Sequence, residues 1–189
     1  MRIITGNFKG KKILQPKDKA TRPLKDLTKE SIFNIILHSK KFKVLLENSN
    51  ILDLFSGSGS FGLECLSRGS KKVIFVENYK EILPILKKNI SSMHYEDSTS
   101  IIERDIFSQL NFETFRVKFD IIFLDPPYKK KEISLLLLKI SESNILDKNG
   151  IIIIHRQKKE DDDLPNDFRI LEEKTYGISR VFFWKFYLK

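Results

Sequence analysis

A chain of 189 residues, 41% of them hydrophobic and 31% charged, is long enough for one domain that buries roughly 70% of its unfolded surface. Its longest apolar runs, such as Leu135–Leu138 and Ile151–Ile154, fall far short of the roughly 20 residues that cross a bilayer, and the basic start through Lys12 lacks the apolar stretch of a secretory signal, so a cytoplasmic protein is expected. The one cysteine, Cys65, excludes an internal disulfide and a multi-cysteine zinc site, while a net charge of +9 points to a polyanionic partner.

That charge is concentrated at the N-terminus. Residues 1–24 carry Arg2, Lys9, Lys11, Lys12, Lys17, Lys19 and Arg22 against the single acid Asp18, two-thirds of the net excess. Neutralising phosphates needs clustered cations, which makes Lys9, Lys11, Lys12 and Arg22 the candidate nucleic-acid contacts; the plainer alternative is a solvated basic hairpin. Arg2 to Leu14 reads as a hairpin and about Lys25 to Leu37 as a helix, joined by a polar stretch with Pro16 and Pro23. Residues 1–40 are therefore expected to form a small extension ahead of a domain spanning 41–189.

The first buried strand, Ile51–Phe55, ends in Asp53-Leu-Phe-Ser-Gly57-Ser-Gly59-Ser-Phe-Gly62 and runs into a helix over Gly62–Arg68. Glycines let the backbone turn tightly against a ligand, and the helix N-terminus offers unpaired N–H groups to it. The spacing Gly57, Gly59, Gly62 also satisfies the dinucleotide fingerprint, so NAD is not excluded by the turn alone. Asp53 favours S-adenosylmethionine, because a carboxylate suits a cationic methionine end and repels a pyrophosphate. Phe55 lies in the same turn. The next strand, Val73–Glu77, closes on Glu77, 24 residues after Asp53, where an acid can bond both ribose hydroxyls of either cofactor.

A helix over Tyr79–Ser91 follows, then a weaker strand at Ile101–Glu103. Beyond it, Asp105 is placed to accept a hydrogen bond from an adenine amino group with Ile106 packing on the ring; equally, Asp105 suits a helix cap. The strand Asp120–Leu124 then delivers Asp125-Pro126-Pro127-Tyr128 at its carboxyl end, where open α/β sheets bind ligands. Two prolines stiffen the loop and have no N–H. If the Asp125 carboxylate and the Pro126 carbonyl each accept one hydrogen of a purine amino group, its delocalised lone pair is localised on nitrogen and becomes nucleophilic. Tyr128 supplies a stacking face. No metal is required.

A helix over Lys131–Ser143 and a strand over Gly150–His155 come next, followed by a hairpin of Phe168–Lys174 and Arg180–Leu188 about Tyr176-Gly177. His155 at its strand end reads as a packed or capping histidine rather than a catalytic base. The alternation of strand and helix predicts a doubly wound, mostly parallel α/β sheet of seven strands with an antiparallel C-terminal edge.

Several blocks resemble the RsmD family of bacterial 16S rRNA guanine-N2 methyltransferases: Met1-Arg-Ile-Ile-Thr-Gly6, Thr21-Arg22-Pro23, Lys29-Glu-Ser-Ile-Phe-Asn34, Leu52-Asp-Leu-Phe-Ser-Gly-Ser-Gly59, Leu66-Ser-Arg-Gly69, Phe123-Leu-Asp-Pro-Pro-Tyr128 and Lys174-Thr-Tyr-Gly177. The resemblance implies a Rossmann-like class I methyltransferase acting with S-adenosylmethionine on one guanine of 16S rRNA in the small ribosomal subunit; a monomer is expected. Leu24 after Pro23, where the family usually has Thr, and Ile154 before His155, where an acid is common, depart from its pattern. Asp-Pro-Pro-Tyr turns also occur in adenine-N6 enzymes, so an adenine target and a noncatalytic RNA-binding assembly protein stay as alternatives.

Overall fold

Apolar runs that alternate with amphipathic helices place the central strands between two covered faces. The computed structural model describes residues 1–16, 24–127, 132–160 and 168–186. Its strands are β1 (Asn50–Leu54), β2 (Lys72–Val76), β3 (Thr99–Ile102), β4 (Phe119–Leu124), β5 (Leu146–Gln157), β6 (Phe168–Tyr176) and β7 (Ser179–Phe186); its helices are α1 (Asp26–His38), α2 (Ser60–Ser67), α3 (Leu83–Ser91) and α4 (Ile133–Glu142). The sheet runs β3-β2-β1-β4-β5-β7-β6. β3, β2, β1, β4 and β5 pair in parallel, and β7 is antiparallel to both β5 and β6. The expected α/β architecture and antiparallel edge are both present.

Successive residues of the central strands enter different layers, as the period of two requires. Ile51, Ile121, Phe123, Ile151 and Ile153 join one buried cluster with Phe61, Leu63 and Leu66 of α2 and Leu86 and Ile90 of α3. Leu52, Leu54, Ile122, Leu124, Ile152 and Ile154 join the other, under Ile133, Leu136, Leu137 and Ile140 of α4. With both faces covered, the strands have no polar alternation to read.

Local departures from expectation have local causes. The helix expected from Tyr79 starts at Leu83, with Pro84 in its first turn; proline suits that position, where its missing N–H costs nothing. Residues 79–82 are a turn closed by Ile82 N to Tyr79 O at 3.1 Å. β5 extends past both ends of Gly150–His155, its register against β4 shifting between Phe119 and Ile121.

The first residues fold back as a loop with a single antiparallel bridge, Arg2 to Lys12, supported by Ile3 N to Lys11 O and Ile13 N to Met1 O. They do not stand apart from the core. Ile3, Ile13, Leu24, Ile32, Phe33 and Ile36 are buried in the α2 layer, and an aromatic column runs from Phe33 of α1 to Phe61 of α2 (5.2 Å) and on to Phe123 of β4 (3.9 Å).

A buried carboxylate fixes the loop to α2. Glu64 accepts from Ile4 N (2.7 Å), Thr5 N (3.0 Å) and Arg68 Nε (2.8 Å), and pairs with Lys29 Nζ at 3.4 Å, both side chains fully buried. Lys29 also donates to Arg2 O and Ser60 Oγ. Burial lowers its pKa, and Glu64 opposes that shift. Gly6 completes the contact in a left-handed conformation (φ +89°), where an added Cβ would lie 1.7 Å from Ser67 O.

Candidate active site

The carboxyl ends of β1, β2 and β4 bring together the acids expected from their sequence positions. Asp53, at the end of β1, is 1% exposed, and its Oδ2 accepts from Gly62 N of α2 at 3.0 Å. It thus satisfies one of the donors a helix start leaves unpaired. Burial pushes its carboxyl well above the usual range, and the charges of Asp125 and Glu77 push the same way.

Gly57 (φ +53°) and Gly59 (φ +82°) both adopt the left-handed backbone. A Cβ on Gly57 would meet nothing within 4 Å, whereas one on Gly59 would lie 2.5 Å from Leu86 Cδ1. Gly57 therefore lets the turn face open space, and Gly59 lets α2 sit against α3. Phe55 also has positive φ (+60°), a strained choice for an aromatic residue.

Glu77 is held by backbone donors: Gly57 N to Oε2 at 2.7 Å, and Asn78 N and Tyr79 N to Oε1 at 2.9 Å each. A carboxylate offers about four acceptor positions, so three protein donors leave Oε2 able to take a further hydroxyl.

Asp105 holds the turn that follows it. Its Oδ1 accepts from Phe107 N, Ser108 N and Ser108 Oγ, and its Oδ2 from Asn78 Nδ2 at 3.0 Å. Ile106 is buried in the α4 layer. The neighbouring Phe107 is half-buried with its ring centroid 5.6 Å from that of Phe55, so this aromatic pair also borders the turn. Nothing in the apolar pattern distinguishes Phe107 from Ile106.

Asp125 follows β4 directly. The β4–β5 register pairs Leu124 with Ile154, so Asp125 and His155 come next to one another, with His155 Nδ1 2.8 Å from Asp125 Oδ1. His155 is 5% exposed, against 21% for the Asp125 side chain. The packed reading of His155 misses this carboxylate; the register, extended by one residue, is the signal that finds it. Pro126 is buried and Pro127 exposed. Tyr128 and Arg22 lie outside the described residues, while Lys9, Lys11 and Lys12 are exposed on the N-terminal loop, away from the acid cluster in sequence but tied to it through Glu64 and α2.

The end of that loop reaches the glycine turn itself. Asn89 of α3 accepts from Leu14 N and donates to Leu14 O and to Ser58 O, and Gln15 Nε2 donates to Ser58 Oγ at 2.8 Å. Among the described residues no group of three or more His, Cys, Asp or Glu side chains could hold a metal ion, and no helix is long and apolar enough to cross a membrane.

A family model described as "Conserved hypothetical protein 95" matches residues 1–185. The chain is 32% identical over 179 residues to Ribosomal RNA small subunit methyltransferase D of Haemophilus influenzae, covering 94% of this chain and 90% of that one. The solved structure of yhhF from Escherichia coli has a TM-score of 0.81 at 22% identity, covering 98% of this chain and 97% of that chain. SMU.776, solved as a complex with SAH, has a TM-score of 0.61 at 17% identity over 84% of this chain and 49% of its own.

Proposed function

The chain belongs to the RsmD family, and on that premise we propose that it methylates the exocyclic N2 amino group of one guanine in 16S rRNA, with S-adenosylmethionine as donor. The observation that carries the reading is Glu77, a carboxylate fixed by three backbone N–H groups beside an open glycine turn, with capacity left on Oε2 to accept a hydroxyl. A carboxylate at this turn disfavours a pyrophosphate, whereas S-adenosylmethionine carries a sulfonium and an ammonium. The SAH complex of SMU.776, a protein of the same fold, supports the same choice.

Glu77 suits the ribose hydroxyls, since its orientation is already set by three backbone N–H groups. The rings of Phe55 and Phe107 offer apolar surface for the adenine, and Asp105 with Asn78 offers polar atoms at its edge. Gly57 and Gly59 give the backbone close access, and Asp53 holds the start of α2 in place beneath them.

When bound, S-adenosylmethionine supplies an electrophilic methyl group. Asp125 accepts one hydrogen of the guanine amino group and the Pro126 carbonyl accepts the other, which draws the nitrogen toward pyramidal geometry and frees its lone pair. Pro127 keeps the loop stiff. The proton released from the methylated amine passes to Asp125 or to water. Tyr128 is suited to stack on the base, a contribution of about 1–3 kcal/mol, and Lys9, Lys11, Lys12 and Arg22 to hold RNA phosphates. The substrate is rRNA of the small ribosomal subunit, met in the cytoplasm by a monomeric enzyme with residues 1–40 as the RNA-facing extension and 41–189 as the methyltransferase domain.

Asp125→Ala is expected to abolish methyl transfer to 16S rRNA while leaving the Kd for S-adenosylmethionine nearly unchanged by calorimetry. Wild-type turnover in that variant would overturn the assignment. Nucleoside mass spectrometry of the product separates N2-methylguanine from N6-methyladenine, and finding only the latter would overturn the choice of base.

A further inference from the structure

We propose that His155 is a positioning residue for the transfer: its Nδ1–H holds Oδ1 of Asp125, so that Oδ2 is the oxygen left to accept a hydrogen from the target amino group. The inference rests on the reading of Asp125 given above.

Three observations support it. The two side chains approach to 2.8 Å through Nδ1 and Oδ1. The backbone that carries the imidazole is held on both sides of β5, with Ile154 opposite Leu124 of β4 and His155 itself opposite Val181 of β7. The ring is 5% exposed, and its Nε2 has no hydrogen-bond partner among the described residues. Among those residues Asp125 is thus the one polar anchor of a buried imidazole, whereas an ordinary packed histidine satisfies its ring nitrogens on backbone or solvent.

The chemistry explains what such an anchor does. Torsion about the last bond of an aspartate is broad, so an unrestrained carboxylate at the end of a strand presents either oxygen over a range of angles. A carboxylate selects the tautomer with the proton on Nδ1, and the resulting charge-assisted bond fixes the carboxylate plane. One oxygen is occupied by the protein and the other is presented at a set angle. A partner that acts only by orienting a reacting group should alter turnover and leave substrate affinity alone.

The test uses the full-length protein with radiolabelled S-adenosylmethionine and 16S rRNA transcribed in vitro, free and assembled into small subunits. His155→Leu removes the donor and is expected to lower kcat by about tenfold to a hundredfold, the range found when a supporting hydrogen bond to an active group is removed, with KM and the cofactor Kd unchanged. His155→Asn keeps an N–H donor at the δ position and should restore most of the turnover. His155→Gln places its donor one carbon further out and should not. Should the leucine variant fail to fold in a thermal melt, the Asn and Gln pair carries the comparison. Full turnover in His155→Leu beside an inactive Asp125→Ala would overturn this inference alone, as would equal impairment of the Asn and Gln variants. An active Asp125→Ala would overturn both readings.

Discussion

Asp53 shows how one side chain can serve the fold and the site with opposed electrostatic demands. Its folded-state pKa lies well above the ordinary value of 3.8, so the native protein holds that proton more tightly than the unfolded chain. The stabilisation this gives is complete below the unfolded value and is lost as pH rises through the folded one. Asp53→Asn keeps an acceptor for Gly62 N and removes the titration. Its melting temperature is expected to be no lower than wild type at pH 7 and to vary less between pH 4 and pH 8; a steeper pH dependence would contradict the argument. Asp53→Ala leaves the helix donor unpaired and should cost about 1–2 kcal/mol in denaturant unfolding. The sequence points to an acid at this turn through its place after an apolar run. It does not reveal that Gly62 takes one oxygen, because that bond depends on how closely α2 approaches β1. Asp105 is similar: its spacing suits a cap or a ligand contact, and its bonds to Phe107, Ser108 and Asn78 depend on the turn that follows β3.

At the level of elements, strands and helices were legible because burial on both faces leaves apolar runs that end at turns, as in Ile121–Leu124 and Ile151–Ile154. The docking of the first residues was not. It depends on Glu64, a charged residue within α2 that no periodic pattern would place at zero exposure, meeting Lys29 and two backbone amides some sixty positions away in sequence. Glu64→Ala is expected to cost about 3–5 kcal/mol in equilibrium unfolding, because it leaves the Lys29 ammonium and the Ile4 and Thr5 amides buried without that acceptor. A loss below about 1 kcal/mol would show that the network relaxes freely, as an exposed pair does. Gly6→Ala should act more locally. The 1.7 Å approach to Ser67 O forces the loop away from α2, so hydrogen exchange at the amides of Ile3, Gly10 and Ile13 should speed up while the amides of β1 and β4 keep their protection.

For the whole molecule, the lysines proposed to hold RNA and the acids proposed to act on it lie on different parts of the fold. The lysines at 9, 11 and 12 are exposed on a loop pinned to α2, whereas the acids converge at the ends of the central strands. Replacing the three lysines with alanine should reduce the slope of log K for rRNA against log salt by about 2, at roughly 0.7 for each phosphate no longer neutralised on a single strand, with the melting temperature and cofactor affinity unchanged. An unaltered slope would mean that other cations hold the phosphates.

The strand order has a consequence for the way the chain acquires its form. β7 lies between β5 and β6 although it is the last of the three to be synthesised. β6 can join the sheet only through β7, so during translation it waits unpaired while the parallel centre is already able to assemble. Its run of charged residues, Glu172, Glu173 and Lys174, is the kind of edge that resists pairing with the wrong partner during that interval. Completion of the sheet is thus a late, long-range event, and topology of this kind folds slowly.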